Sequence, residues 1–163
     1  MQTILDDSQT WFLESCTQFP GGRLVIRLVE GIKGAEREPV TLANATVGPY
    51  WPVTVEPHSR VVDITFDNAL ALFTHNESYD APDPDLQFEA GKAFLREVKA
   101  SSYSRFCQAN TTAFELFPDK PQEFLLWSED QIFQIIASAP PTVQMTEEVP
   151  DMTVRRTQTW LAN

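Results

Sequence analysis

Directly after Pro20-Gly21-Gly22, residues Leu24, Ile26 and Leu28 alternate with Arg23, Val25 and Arg27. A period of two with β-branched content specifies a strand with one face buried. Pro-Gly-Gly specifies a turn, because proline presets one backbone angle and glycine accepts a positive one. Before the turn, residues 10–19 alternate in part: Trp11, Leu13 and Phe19 share one parity, Phe12 and Cys16 the other. The two segments therefore read as an antiparallel hairpin.

The same logic runs along the chain. Residues 31–39 are polar and read as a loop, and Val40 to Val47 as a short strand. Gly48-Pro49-Tyr50-Trp51-Pro52 should break that strand, since proline cannot donate to a ladder. Val53 to Val55 resumes at an edge. Val61 to Phe66 is a clear strand, with Val62, Ile64 and Phe66 on one face. Asp67-Asn68 interrupts it as a bulge or tight turn, and Ala69 to Thr74 continues extended. Residues 76–87, with Pro82 and Pro84 among three aspartates, form a solvated loop. A strand is expected over 92–99. A short helix capped by Ser101 or Ser102 follows, reaching Gln108 with Phe106 and Cys107 inward.

Residues 110–122 read as loop and Glu123 to Trp127 as a buried strand. Ser128-Glu129-Asp130-Gln131 has the spacing of a capping box, in which serine accepts from the fourth residue's N–H. It predicts a second short helix, with Ile132, Phe133 and Ile136 on one face and Pro140-Pro141 at its end. Thr142 to Met145 is a further strand.

The expected fold is α+β and β-dominated: a curved antiparallel sheet or small sandwich with two short helices in the C-terminal half. Strands and helices do not interleave regularly, which argues against a doubly wound parallel sheet. The 163 residues suit one globular domain over 1–149 and a C-terminal arm over 150–163. The arm carries Arg155-Arg156 and Trp160, and would make a homodimer if it docked on a neighbouring copy.

Net charge is −11, and the acidic excess is spread over both halves. Such a surface repels nucleic-acid phosphates and anionic lipid, and attracts a basic partner. No apolar run is long enough to span a bilayer. Residues 1–7 lack a basic stretch and an apolar stretch, which predicts a cytoplasmic protein without a signal peptide. Cys16 and Cys107 then read as free thiols and as small core residues.

Six glycines include no phosphate-binding pattern, and serine-hydrolase and zinc-protease motifs are absent. No cofactor is implied. His58 and His75 lie too far apart in sequence for a metal motif. Asp80, Asp83 and Asp85 sit among prolines, without the glycine of a calcium loop. His75 and Glu77 do fall on one strand face.

The aromatic residues carry the stronger signal. Tyr50 and Trp51 lie between prolines and should present rings at a surface, where such rings favour binding. The sequence thus specifies a non-catalytic acidic protein-binding domain. Its size, acidity and lack of catalytic motif are the physical profile of a bacterial immunity-type inhibitor of a basic toxin. The alternative is a small-molecule-binding domain or small hydrolase using a sheet cavity near His75 and Glu77, with Tyr79 at its mouth.

Overall fold

The structure, a computed structural model, describes residues 2–42, 45–88, 94–117 and 119–153. After a 3-10 turn at Ile4–Asp7 come β1 (Trp11–Gln18), β2 (Leu24–Glu30), β3 (Ile32–Lys33), β4 (Glu38–Leu42), β5 (Ala45–Tyr50), β6 (Val53–Thr54), β7 (Val61–Phe66) and β8 (Ala69–Asn76). A second 3-10 turn, Glu77–Tyr79, leads to β9 (Gln87–Phe88), β10 (Leu95–Ala100), α1 (Ser102–Asn110) and α2 (Ala113–Leu116). The chain continues through β11 (Gln122–Trp127), β12 (Gln131–Ala137) and β13 (Thr142–Thr146).

All pairing is antiparallel. One sheet has the order β1-β2-β7-β13, a second the order β8-β12-β11-β10-β9, and two small ribbons pair β3 with β6 and β4 with β5. The expected alternation in β2 and β7 is present: Leu24, Ile26, Leu28, Val62, Ile64 and Phe66 are fully buried. They pack against Phe124, Leu126, Phe133, Ile135 and Ala137 of the second sheet, in one core that includes the Phe66–Phe124 ring contact at 5.6 Å. The fold is thus a two-sheet sandwich with open edges. Leu5 and Trp11 complete the core, with the Trp11 indole donating to the Leu5 carbonyl at 2.8 Å. Phe12, Val29 and Val61 face the other side of the first sheet, beneath Val53 and Val55.

Several expectations are corrected. Residues 131–137 are not a helix but β12, a central strand buried on both faces between β8 and β11. The predicted hydrogen bond exists, with the Gln131 N–H donating to Ser128 Oγ at 3.2 Å, but it closes the β11–β12 hairpin. The Ser128 N–H also reaches the Gln131 carbonyl at 3.0 Å. The second helix is instead α2, in a stretch read as loop. Gly48-Pro49 does not break its strand, because β5 runs through to Tyr50 on a two-stranded ribbon where a missing donor costs little. Residues 31–39 contribute β3 and the start of β4.

Cys16 is exposed, not core, because the second half of β1 lies open on an edge strand beyond a bulge at Glu14. Phe106 is 59% exposed, while Cys107 is buried. Helix α1 has Cys107 inward, and the preceding residue is rotated away by one helical step.

Asp67-Asn68 does turn, and there the chain passes from one sheet to the other. The predicted strand over 92–99 begins at Leu95, its first two positions lying outside the described residues. The arm expected at 150–163 lies outside them from Val154 onward. Its first residues rest on the first sheet: Pro150 is buried and the Asp151 N–H bonds Glu14 Oε1 at 2.7 Å. No helix among the described residues is long and apolar enough to cross a membrane.

Candidate functional site

Strand alternation places Ala71, Phe73 and His75 of β8 on the face of the second sheet that looks away from the core. Their ladder partners on β12 are Ile136, Gln134 and Ile132, and β11 continues the row with Glu123, Leu125 and Trp127. Helix α1 and the loop over 80–86 cover part of this face.

The helix is held by polar groups at its start. Ser101 Oγ accepts from the Ser104 N–H at 2.8 Å as N-cap, and donates to Glu123 Oε2 at 2.5 Å. Gln134 Nε2 donates to the other Glu123 oxygen at 3.1 Å. Burial pushes the Glu123 carboxyl above its ordinary range, against the pull of these two hydrogen bonds. Asp83 accepts from the Ser102 N–H at 2.8 Å and from its hydroxyl at 2.7 Å. Asp85 accepts from the same hydroxyl at 3.0 Å and pairs with Arg105. For Asp83, desolvation is outweighed by the Asp85 and Ser102 donors; for Asp85, Arg105 and then Ser102 dominate. Both carboxyls sit below the usual range. Negative charge at a helix start is also favoured by the helix dipole.

These groups bind one another and fix the helix. Burial pushes up both the Tyr103 phenol and the Cys107 thiol, which hydrogen-bond each other. A thiol so protonated is a poor nucleophile.

Beside this knot the surface is aromatic and acidic. Phe73 is 47% exposed, its ring centroid 5.3 Å from His75 and 5.8 Å from Tyr103. Phe106 lies one helical turn beyond Tyr103 and is exposed, and Tyr79, in the 3-10 turn after β8, is exposed too. His75 Nε2 lies 2.8 Å from Asp80 Oδ1, while its Nδ1 is buried without a partner. Glu77 donates its N–H to the Asp130 carbonyl at 3.3 Å. Burial, then the charges of Glu77 and Asp130, push Glu129 up to about 7.

Of the residues singled out from sequence, His75 lies on this face, and Glu77 and Tyr79 stand in the 3-10 turn that follows β8. Tyr50 and Trp51 lie elsewhere: Tyr50 ends β5 opposite Glu38, on a separate ribbon. The Trp51 ring already carries Lys33 Nζ at 4.3 Å and the Arg37 guanidinium at 5.4 Å. An open cleft of about 470 Å³ is lined by Gln2, Thr3, Ile4, Asp7, Pro141 and Val143, and none of His75, Glu77 and Tyr79 belongs to it. Among the described residues no three His, Cys, Asp or Glu side chains gather as metal ligands.

Sequence reasoning missed Phe73, Tyr103, Phe106 and Glu123. Phe73 had a signal, since it shares its strand parity with His75. Glu123 had one too, as a lone acid opening an apolar run. The chain matches no protein-family model, no curated protein and no solved structure.

Proposed function

We propose that this protein is a non-catalytic cytoplasmic domain that binds a basic protein partner through the outer face of its second sheet. The observation that carries this reading is the exposed Phe73 ring against His75 and Tyr103, with Phe106 exposed on α1 and Tyr79 exposed after β8, where Asp80 meets His75 and Asp83 and Asp85 hold the start of α1. Exposed rings give large contact area at low entropic cost, and the carboxylates steer and select a cationic surface. Seven cations among the described residues are engaged within the chain. Arg27, Arg60 and Arg105 pair with carboxylates, while Arg23, Lys33, Arg37 and Arg96 lie over aromatic rings. These cations are held within the chain, and the net charge remains −11. Two unpaired cysteines fit a reducing compartment. Occlusion of a basic toxin by an immunity-type inhibitor is one form such binding takes.

The test is a photoreactive phenylalanine at position 73, compared in the source cells with the same group at Phe19, an exposed ring outside this face. A discrete basic protein should cross-link from position 73 and not from 19. Equal capture from both positions, or capture of an acidic protein only, would refute the reading.

A further inference from the structure

We infer that the partner is engaged by strand addition: an extended, basic segment pairs with the free edge of β8. This rests on the reading of the same face given above.

In the order β8-β12-β11-β10-β9, strand β8 has a neighbour on one side only among the described residues. Its phase can be read. The Glu77 N–H bonds the Asp130 carbonyl, and Asn76 stands opposite Gln131. In an antiparallel ladder, bonded and non-bonded pairs alternate. His75, Phe73 and Ala71 therefore bond β12, whereas Asn76, Thr74 and Leu72 turn their backbone N–H and C=O outward. No described backbone group meets those outward groups.

Native edges are usually blunted by lysine, proline, bulges or short length. The other edges follow that rule. β9 has two residues, β1 carries a bulge, and β13 is short and follows Pro140-Pro141. β8 has eight residues; after an irregularity at Leu70 it runs in unbroken register from Ala71 to Asn76, with no proline, lysine, arginine or carboxylate. An edge left open in this way is a template for a partner strand.

Charge selects the occupant. From Asp67 to Asp80 the chain has three acidic residues, Asp67, Glu77 and Asp80, and no lysine or arginine. Antiparallel self-pairing of β8 would bring Asp67 of one copy towards Glu77 and Asp80 of the other, which like charge disfavours. A foreign strand carrying lysine or arginine meets carboxylates at both ends, and its outer-face side chains lie against Phe73.

The probe is a blocked, fluorescein-labelled octapeptide of alternating lysine and valine, followed by anisotropy at low salt and by amide exchange. We expect binding, with exchange slowed at Leu72, Thr74 and Asn76. Of two peptides N-methylated on only the lysines or only the valines, one should bind roughly tenfold or more weakly, because one set supplies the pairing N–H groups. Thr74→Pro removes an outward N–H together with the Thr74 hydroxyl bond to the Ile132 carbonyl at 2.9 Å, and should weaken binding to a similar degree, while Thr74→Val, which loses only the hydroxyl bond, should not. The N-methylated peptides test the same point without altering the fold.

If both N-methylated peptides bind as well as the parent, strand addition is overturned. The basic-partner reading then survives provided binding is lost in Phe73→Ala and in high salt. If neither this peptide nor a proline-interrupted lysine peptide binds, both readings fail. A dimer abolished by Thr74→Pro in sedimentation would assign the edge to a second copy and overturn the foreign strand.

Discussion

Glu129 and Glu123 are the residues whose environment departs most from that of a surface carboxylate. Glu129 is half-buried at the β11–β12 hairpin tip, with the Glu77 and Asp130 charges nearby, and its carboxyl is pushed up to about 7. A folded-state value above the unfolded one means the folded chain binds the proton more tightly. Stability from this group is therefore complete below the ordinary carboxylate range and is lost as pH rises through about 7. Glu129→Gln should remove that loss, raising stability at pH above 8 by about 1 kcal/mol while leaving acid stability unchanged. Urea melts across that range check it; a variant with the parent's pH profile would sink the idea. Glu123 acts in the same direction, but its two oxygens also hold Ser101 and Gln134, so its loss would loosen the start of α1.

Two elements invite the sharpest tests. In the β1–β2 turn both glycines have positive φ, Gly21 at 85° and Gly22 at 88°. A Cβ at Gly21 meets nothing, whereas one at Gly22 would lie 2.8 Å from Asn68 Oδ1 and 3.3 Å from the Ala69 carbonyl. Gly21→Ala should cost about 1 kcal/mol, the backbone term alone, and Gly22→Ala about 2–3 kcal/mol. Equal losses in thermal melts would mean that the turn does not pack on the β7–β8 corner. In β12, Phe133 is 1% exposed in the sandwich core. Phe133→Ala should cost about 3–5 kcal/mol in chemical denaturation. An unchanged melt would contradict its inward placement.

At the scale of the whole molecule, charge opposes compactness. With a net −11 the folded chain repels itself more strongly than the expanded one. The repulsion is screened over about 10 Å at 0.1 M salt. Raising sodium chloride from low to moderate concentration should therefore raise Tm by roughly a few degrees. Partner binding should weaken over the same range, because its attraction is screened too. A Tm that falls with salt would mean that attractive pairs such as Arg27–Asp63 and Arg60–Glu30 outweigh the general repulsion.

Strict alternation determined β2 and β7 before any coordinates, because period two has no other low-energy reading when one face must be buried. A serine cap at 101 or 102 marked the start of α1, because such a bond is local to four residues, and the fold makes it Ser101. Net charge, being a count, was equally legible. The identity of residues 131–137 was not. Ser128 and Gln131 make the same serine-to-N–H bond in a capped helix and in a hairpin turn, and Ile132-Phe133-Gln134-Ile135-Ile136 is apolar but for Gln134, which leaves the period unmarked. Only β8 and β11, distant or reversed in the chain, supply the ladder that makes it a central strand. The candidate site divided along the same line. His75, Glu77 and Tyr79 were visible as neighbours in sequence. Phe73 against Tyr103, Glu123 against Ser101, and Trp51 beneath Lys33 and Arg37 come from elements brought together by the sandwich. Such contacts are set by where strands and loops land, which depends on burying both sheets at once.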